Sequence, residues 1–179
     1  LILNILTAAT SLRNARVMLR KLKKRFEKND SIEALVWAKR NVSKLEDFCN
    51  ERSPKLWKES QSVTKNLNDS SDKILQSIPF NLGGGGALDL LYFLTRYSKP
   101  KIVLETGVAA GHSSKTILTA IRKNGEGHLY SSDFPYFRLK SPEKFIGVLV
   151  DDTLKSQWTL DIRGDEFAIP DFCKKLCSI

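Results

Sequence analysis

Apolar residues recur at alternating spacings of three and four along Ile5, Ala8, Leu12, Ala15, Leu19, Leu22 and Phe26. That spacing keeps one stripe on one side of a helix. Asn29-Asp30-Ser31 breaks the pattern with turn and N-cap residues. A second seam, Leu35, Ala38, Val42, Leu45 and Cys49, predicts a second helix, and the short polar link predicts an antiparallel hairpin. The seam either packs within the chain or joins two copies into a homo-oligomer, although under four heptads make a marginal coiled coil. Ser53-Pro54 ends this section; polar helices are expected near 55–66 and 70–78, the latter capped from Asn68-Asp69-Ser70-Ser71-Asp72.

The pattern changes after the run Gly83–Gly86, which cannot sit stably inside a helix or strand. Leu88, Leu91, Tyr92 and Thr95 give helical spacing over Ala87–Ser98, and Lys99-Pro100 stops it. Residues 101–105 (Lys-Ile-Val-Leu-Glu) read as a buried parallel strand, which empties into Thr106-Gly107-Val108-Ala109-Ala110-Gly111-His112-Ser113-Ser114. A helix over Lys115–Lys123, a turn at 124–127 and a strand over His128–Asp133 complete a βαβ unit. A third strand is expected from Trp158 to Asp165, with a terminal helix over 171–179.

The fold class is therefore α/β: a helical region over 1–82, then the first half of a doubly wound, Rossmann-like sheet over 83–179. Composition agrees. The 179 residues are 41% hydrophobic and 27% charged, which excludes disordered and collagenous classes. The longest apolar run, Leu1 to Ala9, is broken by Asn4 and Thr7, so no membrane span is expected. Three cysteines cannot form a complete disulfide framework and favour a reducing, cytoplasmic setting. The start at Leu1, with no basic n-region or cleavage site, does not support a signal peptide. It suggests an incomplete chain, as does the end at Ile179 soon after the third strand.

Charge divides unevenly. Residues 1–82 hold 16 Lys and Arg against 9 Asp and Glu, whereas residues 83–179 hold 13 against 11. Much of the excess lies in Arg13, Arg16, Arg20, Lys21, Lys23, Lys24, Arg25 and Lys28. Such a stretch can mark nucleic acid or an anionic membrane surface, and an ordinary solvated helix face is the plainer account. No aromatic residue interrupts it before Phe26, which disfavours a stacking platform for single strands and hence a nucleic-acid partner.

The turn at 106–114 carries the candidate chemistry. Gly107 and Gly111 let the backbone bend and approach a ligand. The following helix offers free N–H groups and partial positive charge. Asp133, 26 residues after Gly107, stands at the second strand's end, where an acid can accept ribose hydroxyls. Glu105 discriminates between ligands: it repels a pyrophosphate and suits a ligand carrying positive charge. At ~4 Å and an effective dielectric of ~20 that attraction is on the order of 4 kcal/mol before desolvation.

The segments 105–114, Tyr130-Ser131-Ser132-Asp133 and 158–165 together resemble the nucleotide-binding half of class I S-adenosylmethionine-dependent methyltransferases. Within that class the chain is most similar to a bacterial-type small-molecule and sugar subgroup, on its run Gly83–Gly86 and its Gly147-Val148-Leu149-Val150 followed by a short helix. The resemblance covers about residues 80–179. It implies S-adenosyl-L-methionine as cofactor and a small-molecule acceptor. Glu105, Gly107, Val108, Ala109, Gly111 and His112 would hold the cofactor's methionine portion, His112 through its backbone N–H. Ser113 and Ser114 would cap the helix and donate to the cofactor's carboxylate. Asp133 would take the ribose hydroxyls, and Asp165 would lie near the adenine amino group. Many members have a glycine where Ala109 stands, which matters if φ there is positive. No residue is assigned as catalytic base.

Two other readings stand beside this one. A nicotinamide-dependent oxidoreductase wants Gly-x-Gly-x-x-Gly, which Gly107-x-x-x-Gly111 does not supply. A non-catalytic interaction module would join the basic helices to a cofactor fold. Cys173 and Cys177 lie four apart but lack further ligands, so no metal is expected. Asp151-Asp152 is expected to cap the short helix 153–157 rather than to bind metal.

Overall fold

The computed structural model describes residues 10–26, 32–42, 44–135 and 139–177. They fall into two compact units, Leu1–Lys44 with Tyr136–Pro142, and Leu45–Pro135 with Glu143–Ile179. The first unit contains helices α1 (Leu12–Phe26) and α2 (Ile32–Asn41). Ile5, Ala8 and the Asn29-Asp30-Ser31 turn lie outside the described residues. The second seam is not one helix. It stops at Asn41, and its last two members, Leu45 and Cys49, open α3 (Leu45–Arg52) in the other unit. Val42, between them, is 79% exposed.

The second unit begins with α3 and α4 (Pro54–Leu75). Ser53 caps α4 by accepting from the Leu56 N–H at 3.3 Å, and Pro54 occupies its first position. The two short helices expected near 55–66 and 70–78 are this one helix. The polar cluster 68–72 lies inside it and caps nothing. The Ser70 and Ser71 hydroxyls instead bond back to the Leu67 carbonyl at 2.8 and 2.7 Å. The buried stripe of α4 is Trp57, Ser60, Thr64 and Ser71. Ser60 and Thr64 likewise bond to carbonyls three or four residues back, so small hydroxyls can face the interior. Trp57 meets Phe93 of α5 (Leu88–Ser98) edge-on at 6.2 Å, beside buried Cys49.

The sheet has three parallel strands in the order β1 (Ile102–Thr106), β2 (His128–Ser132), β3 (Trp158–Asp161). Helix α6 (His112–Asn124) links β1 to β2, and α7 (Asp165–Cys177) follows β3. Alternation along β2 fixes both layers. Leu129 packs with Ile117, Leu118 and Ile121 of α6, while Tyr130 packs with Ala168 and Phe172 of α7. The third strand is shorter than expected: it ends at Asp161, and Asp165 already belongs to α7, which therefore starts six residues before 171. Among the described residues β1 pairs only with β2, so its other edge is unpaired.

Candidate functional site

The β1–α6 turn is held from three sides. The Gly107 N–H donates to the Ser132 carbonyl at 2.8 Å. The Gly147 and Leu149 N–H groups donate to the Ala109 and Ala110 carbonyls at 2.9 and 3.0 Å. Gly107, Ala109 and Gly111 all have left-handed backbones, with φ of 80°, 53° and 101°. Ala109 is thus a non-glycine residue in a conformation that favours glycine, at a cost of roughly 1–2 kcal/mol. A Cβ added at Gly107 would meet nothing within 4 Å, whereas at Gly111 it would stand 2.9 Å from the Gly147 Cα. Open space therefore lies beside the first glycine and packed backbone beside the second.

Glu105 is buried at the end of β1. Its Oε1 accepts from the Ser113 hydroxyl at 2.6 Å; its Oε2 accepts from Ser114 at 2.6 Å and Ser131 at 2.7 Å. The register explains the third bond, because Glu105 and Ser131 are paired positions on adjacent parallel strands and share a face. Trp158 Nε1 donates to the Ser131 hydroxyl at 2.8 Å, completing a chain from β3 to Glu105. Ser113 and Ser114 therefore do not cap α6. Its N-cap is Gly111, which makes no side-chain cap bond. Their protons are committed to Glu105, so each retains lone pairs to accept with rather than a proton to donate to a carboxylate.

Asp133 lies directly after β2 and reaches back to the turn. Its Oδ2 accepts from the Val108 and Ala109 N–H groups at 2.9 and 2.6 Å, and its Oδ1 from the Phe134 N–H at 2.5 Å. Asp165 is the first residue of α7 and accepts from the Ser132 hydroxyl. The structure thus gathers Glu105, Ser113 and Ser114 into one bonded network, and Gly107, Val108, Ala109, Gly111 and Asp133 into a second along the same turn, with Asp165 tied to its edge through β2. Ser131 and Trp158 are members that sequence reasoning missed. The available signal was a pair of small hydroxyl residues, Ser131 and Ser132, at the buried carboxyl end of a strand.

His112 opens α6 half-buried, and its Nε2 is sealed from solvent without a hydrogen-bond partner. Burial holds its pKa below the ordinary 6.5; nearby Asp72 opposes that shift and Lys115 adds to it. The imidazole is consequently neutral at neutral pH. The glycine loop packs against it, since a Cβ at Gly85 would come within 2.8 Å of the His112 Cβ. On its other side the loop borders a cleft of about 460 Å³ between α4 and the start of α5. Gln61, Lys65, Asn68, Asp69 and Asp89 line this cleft with polar groups.

Asp151 holds the N-cap position of the 3-10 segment Asp152–Gln157 but makes no side-chain cap bond, and Asp152 is the segment's first residue. Asp152 pairs with Lys155 at 2.6 Å. Asp151 lies 3.7 Å from Lys115 Nζ, which is buried in the core and also donates to Ser70 Oγ at 3.0 Å. A buried ammonium needs such partners, and α4 and the loop before β3 provide them. Cys173 and Cys177 are exposed free thiols. Among the described residues no group of three or more His, Cys, Asp or Glu is placed to hold a metal ion, and no helix is long and apolar enough to cross a membrane. No protein-family model matches the chain, and no curated protein matches its sequence.

Proposed function

We propose that this chain binds S-adenosyl-L-methionine at the β1–α6 turn and serves methyl transfer to an oxygen or nitrogen of a polar small molecule or sugar. The observation that carries this reading is a pair of carboxylates, Glu105 and Asp133, flanking a left-handed glycine turn. Glu105 is bonded only to hydroxyls, so no basic side chain neutralises it directly. A site of that charge attracts a sulfonium and an ammonium and repels a pyrophosphate. This weighs against the nicotinamide alternative.

The residues present fit the cofactor. Open space beside Gly107 admits a ligand close to the backbone. The partly exposed Ser113 oxygen, polarised by donating to Glu105, is an acceptor suited to an ammonium. Asp133 is within hydrogen-bond reach of the turn, where ribose hydroxyls can replace its backbone donors. When bound, S-adenosylmethionine supplies an electrophilic methyl group for in-line displacement. The chain's own part is positioning and exclusion of water. The polar cleft beside the glycine loop supports a hydrophilic acceptor. The neutral His112 is not assigned as base, because its free nitrogen is sealed away from solvent.

Thermal unfolding with added ligands tests the reading. S-adenosylmethionine or S-adenosylhomocysteine at about 100 times its Kd should stabilise the chain by roughly 2.7 kcal/mol. NADH should not. Stabilisation by NADH alone would transfer the assignment to an oxidoreductase.

A further inference from the structure

We infer that α1 and α2 form a surface that docks on anionic lipid, with α1 lying in the plane of the membrane interface. This does not depend on the methyltransferase reading. Residues 12–26 carry seven Lys and Arg and no acid. At 3.6 residues per turn, Ala15, Met18, Leu19 and Leu22 share an arc about 100° wide, while Arg16, Arg20 and Lys23 occupy the adjoining arc. The leucines are not core: Leu19 is 66% and Leu22 53% exposed. On α2, which buries none of its residues, Ile32, Leu35 and Trp37 are exposed as well.

Three occupants compete for this surface, and charge with apolarity decides among them. Nucleic acid would satisfy the cations and leave the leucines in water. A second copy would bury the leucines and bring two uniformly positive helices together. An anionic bilayer interface takes both at once: leucines enter the acyl boundary while Arg and Lys stay at the headgroups. An exposed Trp suits the same boundary. At 15 residues α1 is too short and too charged to span, so it lies on the surface.

The test is co-sedimentation of the full 179-residue chain with vesicles of phosphatidylcholine alone or with one third phosphatidylglycerol. Partition onto the anionic vesicles should exceed that onto neutral ones by about tenfold or more at low salt, and weaken as salt screens the charges. Leu19→Glu with Leu22→Glu should reduce anionic-vesicle binding by about tenfold or more. Arg16→Glu with Lys23→Glu should remove the preference for anionic lipid. All four side chains are exposed, so unchanged thermal unfolding should accompany both losses. Equal partition onto both vesicles, or none, overturns the proposal. So does a dimer dissociated by the leucine pair in a chain that ignores vesicles, or RNA binding that the leucine pair leaves intact in such a chain.

Discussion

The sheet unit buries polar groups, and the α1–α2 unit exposes apolar ones. Both depart from the ordinary arrangement, and such departures point to function more directly than a well-packed core does. Around β1 and β2 the buried groups Glu105, Ser114, Ser131 and Lys115 all have partners, so burial is matched by hydrogen bonds. On α1 and α2, Leu19, Leu22, Ile32 and Trp37 stand exposed among the described residues. One region is a hydrogen-bonded network around buried polar groups, and the other exposes apolar side chains among the described residues. Substitutions should therefore cost stability in the first and leave it nearly unchanged in the second.

The largest expected effect is at Glu105. Glu105→Ala orphans the Ser113, Ser114 and Ser131 hydroxyls and should lower unfolding stability by on the order of 3–5 kcal/mol, read from urea midpoints at constant slope. A loss below about 1 kcal/mol would mean the network is not formed. Next comes Gly147→Ala, whose Cβ would sit 2.3 Å from the Trp158 ring at a backbone φ of 68°. About 3 kcal/mol should be lost. In the opposite direction, Ala109→Gly relieves a left-handed alanine and should raise stability by about 1 kcal/mol.

A pH titration follows. Burial lowers the pKa of both His112 and His128, the latter also through Lys175. Below 6.5 the unfolded chain then binds more protons than the folded one. Stability should fall as pH drops below that value and level off above it, and NMR midpoints of both rings should lie under 6.5. Midpoints above 6.5 would contradict the burial. The smallest effect belongs to the other region: Leu19→Glu with Leu22→Glu should move stability by no more than about 0.5 kcal/mol. A larger loss would show that those leucines are packed after all.

How far the sequence foretold this depended on whether apolar periodicity or hydroxyl chemistry did the building. The βαβ unit was legible, because an apolar strand, a glycine turn and a helical repeat follow one another in 101–123. The adjacency of Glu105, Gly107, Gly111 and Asp133 followed from that topology. Helix α4 was not legible as one helix, since its buried stripe is largely Ser and Thr and its polar stretch 68–72 reads as a breaker. Back-bonding to Leu67 makes Ser70 and Ser71 acceptable mid-helix, which composition does not reveal. The roles of Ser113 and Ser114 were misjudged for a related reason. Hydroxyls at a helix start look like caps, but the β1–α6 turn brings both within reach of Glu105, which takes both protons. The seam through Val42 failed because spacing alone does not encode the break between α2 and α3.

Isothermal titration of S-adenosyl-L-methionine into the chain and into Asp133→Ala tests the central claim most directly, with NADH as the competing titrant. One site on the unaltered chain, affinity weakened at least about tenfold in Asp133→Ala by loss of charged hydrogen bonds, and no NADH binding is the expected result. Absence of S-adenosylmethionine binding to the folded, unaltered chain, or equal affinity in both proteins, would contradict it.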